Sequence, residues 1–187
     1  MGIYKDVMGT LVRVLAADNI DNSTKQSWQK LIDADLRQGG TGSSISVRDK
    51  FDYDCCLHAL LHRELPPAQW DVLVAKYSTH KANKVAAIGR LISRISSPAP
   101  QLFIYKAVTA WAIPKLRGEQ SGKRSTDMIV LAAEFYDMNT WDLEGKPEST
   151  RRRWKTGVAR CLERLEEQAV VHATEIFDRE EIFIDAA

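Results

Sequence analysis

Apolar residues recur at a helical period along almost the whole chain, and no run alternates apolar with polar over a strand's length. That property points to one fold class: all-α, with about eight helices. Val7, Leu11, Val14 and Leu15 define a first helix from Ile3 to Ala17. After the turn Asp18–Asn22, Ser23 or Thr24 can cap a second helix to about Arg37, carrying Trp28, Leu31, Ile32 and Leu36 and closed by Gly39-Gly40. The Gly/Ser/Thr-rich stretch Gln38–Ser44 is the expected flexible linker. It would separate an N-terminal helical pair, residues 1–40, from a helical body, residues 46–187, unless the whole chain forms one domain.

Proline supplies the next punctuation. A helix capped by Ser46 runs to about Arg63 and stops at Leu65-Pro66-Pro67, where Pro67 can occupy the first position of the following helix through Tyr77. Ser78 or Thr79 then opens a helix with Val85, Ala86, Ile88, Leu91, Ile92 and Ile95 as its apolar set, ended by Ser96-Ser97-Pro98-Ala99-Pro100. An apolar helix spans Gln101 to about Ile113 and meets Pro114, and Leu116–Arg124 reads as a basic loop. Ser125 can cap a helix from Met128 to Tyr136, and Asp137–Pro147 links it to a long final helix. The closing segment Glu180–Asp185 reads as a frayed tail or a short strand.

The chain has 187 residues and a net charge of only +1, yet the charge is blocked. Residues 76–124 hold 10 basic and 1 acidic side chains, residues 151–160 hold 5 and 0, and residues 161–187 hold 2 and 8. Two basic blocks in a near-neutral chain suggest local contacts with a polyanion. The second is the sharper signal. Glu148-Ser149-Thr150-Arg151-Arg152-Arg153-Trp154-Lys155 opens the last helix with four cations in five residues, ahead of an apolar stripe of Trp154, Val158, Cys161, Leu162, Leu165 and Ala169.

At 100° per residue, Ser149, Arg152, Arg153, Thr156 and Arg160 fall opposite that stripe, with Arg151 and Lys155 flanking it. Guanidinium forks and hydroxyls in this position suit guanine edges and phosphates. Cations at a helix N-terminus oppose its dipole, at a cost of a few tenths of a kcal/mol each. Stability alone would not select them, and a polyanionic partner removes the penalty. Further along, Arg160 with Glu163, and Arg164 with Glu167 or Gln168, are expected as surface pairs.

Other patterns point elsewhere. Cys55, Cys56, His58 and His62 invite a zinc reading, because His58 and His62 share a helix face. No second ligand pair accompanies them, so the expectation is no metal, with small cysteines inside a helical core. Trp111, Trp141 and Trp154 sit among aliphatic residues as core. Asp52, Asp54 and Asp71 read as solvated helix faces. No Gly-rich phosphate loop, nucleophile elbow or paired acidic metal site occurs, so neither an enzyme nor a cofactor is expected. Sparse cysteines, no signal-type apolar segment and no apolar run of about 18 residues suggest a cytoplasmic chain outside the membrane.

Two stretches resemble a known pattern. Leu65-Pro66-Pro67-Ala68-Gln69-Trp70-Asp71-Val72-Leu73-Val74-Ala75-Lys76-Tyr77 is similar to the opening of a sigma-factor region-four helix-turn-helix. Pro147–Lys155, with Leu162-Glu163-Arg164-Leu165, resembles that family's recognition helix. Phage late-gene antitermination proteins of the Q type and related phage transcriptional activators carry such segments. The resemblance implies a helix-turn-helix at about residues 125–175 with a long C-terminal recognition helix, double-stranded DNA and bacterial RNA polymerase as partners, and action in the bacterial host cell. It departs from the pattern in placing about 70 residues between the two stretches and Arg151 where a buried valine is usual. The expected partner of the recognition helix is therefore the Ser125–Tyr136 helix.

Residue by residue, the resemblance implies DNA contacts from Ser149, Thr150, Arg152, Arg153 and Lys155, and the helical wheel adds Arg151, Thr156 and Arg160 to the candidate DNA-binding set. Lys81, Lys84, Lys115, Arg117, Lys123 and Arg124 would form a secondary basic surface. A competing reading is a helical interaction or assembly protein, in which the last helix forms a homo-oligomeric or heteromeric seam.

Overall fold

A computed structural model describes residues 6–20, 47–115 and 129–183, and every regular element among them is helical. These are α1 (Val7–Ile20), α2 (Val47–Glu64), α3 (Pro67–Tyr77), α4 (Lys81–Ile92), α5 (Gln101–Ala112), two 3-10 turns (Ala133–Tyr136 and Met138–Thr140) and α6 (Glu148–Arg179). The helix expected from Ser23 or Thr24 to Arg37, the linker Gln38–Ser44 and the loop Leu116–Arg124 lie outside the described residues. The chain divides into two compact units, Met1–Leu65 with Val170–Ala187, and Pro66–Ala169. The last helix contributes its first part to one unit and its end to the other.

In the first unit α1 packs on α2. Leu11, Val14, Leu15, Leu57 and Leu61 are buried, as are Ala173, Ile176 and Phe177. Asp6 caps α1 by accepting from the Gly9 N–H at 2.7 Å. An added Cβ at Gly9 would stand 2.9 Å from the Asp6 carboxylate, so the cap and the glycine form a matched pair. Asp54, expected on a solvated face, is buried and accepts from Arg13 Nε at 2.7 Å. Cys55 and Cys56 are exposed, which corrects the expected core cysteines; the buried positions of α2 fall instead to Asp54, Leu57 and Leu61. Among the described residues, no group of three or more His, Cys, Asp or Glu side chains is placed to hold a metal.

α6 does not fray into a strand over the described part of its tail. Glu181 takes a left-handed φ of 53°, and Ile182 N–H reaches back to Phe177 O at 3.0 Å while Glu181 N–H bonds Asp178 O at 3.1 Å. That is the Schellman pattern of helix termination. Arg179 pairs with Glu64 and Glu180, and the ring of Phe183 meets Phe177 edge-on at 5.7 Å.

The second unit is built on α3, which is buried all round from Gln69 to Ala75 and packs against α4 and α5. Pro67 stands in its first turn, where a missing N–H costs nothing. Asp71, expected at a solvated face, is 2% exposed and holds Arg90 of α4 through Nε at 2.8 Å and Nη2 at 2.7 Å. α4 starts later than expected: His80 caps it by accepting from the Asn83 N–H at 3.2 Å. It buries Ala87, Ile88 and Leu91 and leaves Val85 exposed. No described helix is long and apolar enough to cross a membrane.

The helix expected from Met128 to Tyr136 is a correction. Residues 129–132 carry no regular structure, and Ala133–Tyr136 forms one 3-10 turn. This segment lies along α5 through specific polar contacts. Tyr136 OH donates to Ile113 O at 2.8 Å and Lys106 Nζ donates to Thr140 O at 3.1 Å, while Trp141 Nε1 donates to Phe135 O at 2.7 Å within the segment itself. The segment's backbone N–H groups are met locally, by Phe135 to Ala132 O, Asp137 to Glu134 O and Thr140 to Asp137 O, in short turns rather than an i→i−4 ladder.

Candidate nucleic-acid interface

The start of α6 is fixed by aromatic packing below and by a tight turn ahead. Phe103 of α5 stands between two indoles, with ring centroids 5.4 Å from Trp141 and 5.4 Å from Trp154, both edge-on. Trp141 is fully buried and Trp154 half-buried. Val158 and Leu162 continue the buried side, whereas Cys161, assigned to the stripe from its spacing, is exposed. The apolar arc is narrower than the spacing suggests, and Cys161 lies just outside it.

The turn before the helix is organised by Asp142, a residue the sequence reading passed over. Its buried carboxylate accepts from Glu144 N–H at 3.1 Å and from Lys146 N–H at 2.7 Å. Gly145 takes the left-handed φ of +67° that this turn requires. Pro147 O then accepts from Thr150 N–H at 3.0 Å and Arg151 N–H at 3.2 Å, which closes the first helical turn. The signal was present as Asp-Leu-Glu-Gly, an Asx-type turn with glycine at the left-handed position.

On this anchored start Ser149, Arg152, Arg153, Thr156 and Arg160 are exposed, while Thr150 and Arg151 are half-buried. Arg152 is not idle: its Nη2 lies 2.6 Å from Glu148 Oε1 in a surface pair one turn apart. Such pairs contribute about 0.3–0.5 kcal/mol and exchange readily for another anion. Lys155 Nζ sits 5.2 Å from the centre of the Trp141 ring, a cation–π contact that holds the side chain beside the helix. Arg151 Nε is buried with no hydrogen-bond partner among the described residues. The pairs expected between Arg160 and Glu163 and between Arg164 and Glu167 are not formed among the described residues; exposed side chains on this face gain little by closing them.

The secondary basic block behaves differently, because much of it serves the fold. Lys84 is half-buried and donates to Lys76 O at 3.0 Å and Ser78 O at 3.3 Å, capping the end of α3. Burial pushes its ammonium down to about 8. Lys76 bonds Glu166 at 2.5 Å and lies 5.0 Å from the Trp111 ring centre; Arg90 is taken by Asp71 and Lys106 by Thr140. Glu166 also accepts from Tyr77 OH, and burial together with that bond pushes the phenol well above its ordinary range. Lys81 and Lys115 are exposed, and Arg117, Lys123 and Arg124 lie outside the described residues.

Comparisons with protein-family models, with curated proteins and with solved structures found no match to this chain.

Proposed function

We propose that this chain is a sequence-specific DNA-binding protein that presents the exposed face of the first turns of α6 to the major groove. The observation that carries the reading is the pairing of a rigid base with a cationic face. Ser149, Arg152, Arg153, Thr156 and Arg160 face outward from a helix whose inner side is held by Phe103, Trp141 and Trp154. An α-helix fits the major groove, where Arg pairs with guanine O6 and N7 and hydroxyls bond phosphates or base edges. The resemblance to phage late-gene antitermination proteins extends the proposal. The bound protein would load onto bacterial RNA polymerase and regulate transcription in the bacterial cytoplasm, without enzymatic chemistry or a cofactor.

The residues ahead of α6 alter how the helix would be delivered. With a 3-10 turn and an Asp142-held turn in place of a preceding α-helix, the helix start is oriented by α5 and its aromatic contacts. The experiment is titration of a labelled duplex carrying the target, selected from a randomised pool, with wild type, Arg152→Ala and Arg153→Ala. Each substitution should weaken binding, by about 1–3 kcal/mol where the side chain reads a base edge, or with a salt slope shallower by about 0.9 where it contacts phosphate. Unchanged affinity in both variants removes the reading and leaves a helical protein-interaction module, including a homo-oligomer, as the account of this face.

A further inference from the structure

The centre of the exposed face of α6 is not where the basic cluster starts. Arg153, Gly157, Arg160 and Arg164 stand at i, i+4, i+7 and i+11, within about 60° of arc at 100° per residue. All four are exposed. Unlike Arg152, none of the three arginines forms an ion pair among the described residues. The row is therefore three uncommitted guanidinium groups with a gap in the middle of the ridge.

Gly157 makes the gap, and nothing among the described residues explains it. A Cβ built on Gly157 meets no atom of the described residues within 4 Å. Its φ is not left-handed, since Gly145 is the glycine for which a positive value occurs among the described residues. Alanine would fit without strain and would be the better helix former. Glycine in the middle of an exposed helix then costs stability for no contact among the described residues, and its use is close approach by an external backbone.

We infer that Gly157 is the seat of a DNA sugar–phosphate backbone that runs along this row, with Arg153 on one side and Arg160 and Arg164 on the other donating to its phosphates. This rests on the DNA-binding reading above and extends its footprint to Arg164. The row from Arg153 to Arg164 is about 16 Å long at 1.5 Å per residue, close to the axial rise of five nucleotides in one strand. Charge complementarity selects the occupant: a guanidinium row around a bare helix backbone fits a polyanionic strand, and the carboxylate within its span, Glu163, lies about 60° to one side of it at 100° per residue.

The test uses Gly157→Ala, Gly157→Leu, Arg164→Ala and Arg153→Ala in the full chain, with a fluorescein-labelled 25-base-pair duplex of mixed sequence and, in parallel, urea unfolding. Gly157→Ala should unfold at higher urea yet bind the duplex several-fold more weakly, and Gly157→Leu should bind at least about tenfold more weakly while remaining folded. Arg164→Ala should reduce the salt dependence by one phosphate contact, about 0.9 in the slope of log K against log salt. Duplex affinity of Gly157→Leu within about twofold of wild type, with Arg153→Ala still weakened, overturns the backbone seat alone. Loss of no affinity in any of the four variants overturns both this inference and the DNA-binding reading.

Discussion

Asp142 is the residue whose removal says most about how the basic helix is held. Its carboxylate accepts two backbone N–H groups, at 3.1 Å from Glu144 and 2.7 Å from Lys146, and only 6% of the residue is exposed. Hydrogen bonds to a charged group contribute about 1.5–3 kcal/mol each when their loss leaves a partner unsatisfied. Glu144 and Lys146 are themselves exposed, so water can replace part of each bond in an alanine variant. The working value for Asp142→Ala is therefore about 2–3 kcal/mol in total. Asp142→Asn keeps one acceptor and should lose about half of that.

Urea unfolding followed by tryptophan fluorescence suits the measurement, because Trp141 is fully buried next to the altered residue. Duplex binding should weaken in Asp142→Ala although the substitution removes a negative charge beside the cationic face. A purely electrostatic account requires the opposite sign. Destabilisation below about 0.5 kcal/mol, or asparagine as damaging as alanine, would refute the claim that the two accepted bonds fix the helix start.

The remaining predictions concern stability. Arg90→Ala should cost more than Asp71→Ala, about 3 against about 2 kcal/mol by chemical denaturation, because it strands a buried carboxylate while the converse change leaves a solvent-reachable arginine. Arg94, whose Nη2 lies 3.9 Å from Asp71 Oδ2, offsets only part of that cost at this distance. Glu181→Gly should stabilise by roughly 0.5–1 kcal/mol, since the residue sits at a φ of 53° that glycine adopts without strain. Stability should rise with pH from about 8 towards 10, because burial lowers the Lys84 ammonium and the unfolded chain binds the extra proton in that window. It should fall again above about pH 10, where unfolded tyrosines ionise and Tyr77 and Tyr136, both raised by burial, stay protonated. Lys84→Met should flatten the rising limb in unfolding titrations.

The parts of the fold that depend on local chemistry could be read directly. Apolar spacing located α2, α3 and α5 to within a residue or two, and Pro67 marked the start of α3. Where tertiary contacts decide, spacing misled. Asp54 and Asp71 have the position of solvated residues, but Arg13 and Arg90, 41 and 19 residues away, make burial tolerable. Ser125–Tyr136 offers a cap residue and an apolar run in sequence, yet its described part is an irregular segment held by Tyr136 OH on Ile113 O, by Lys106 over the Phe135 ring and by Trp141 Nε1 on Phe135 O. Lys84 counted as surface charge because its carbonyl partners are backbone atoms, which carry no signature in side-chain sequence. The wheel did place Ser149, Arg152, Arg153, Thr156 and Arg160 on the exposed face. It did not show that Glu148 already holds Arg152.

The account stands or falls on whether the exposed cations of α6 touch phosphate. The direct measurement is the affinity of the full chain for duplex DNA over about 0.05–0.3 M salt, for wild type and for Arg153→Ala/Arg160→Ala. With four or five cations engaged, log K against log salt should have a slope of about −4, falling to about −2 in the double variant. A wild-type chain with no duplex binding at about 0.05 M salt, or a slope that the double substitution leaves unchanged, would contradict it.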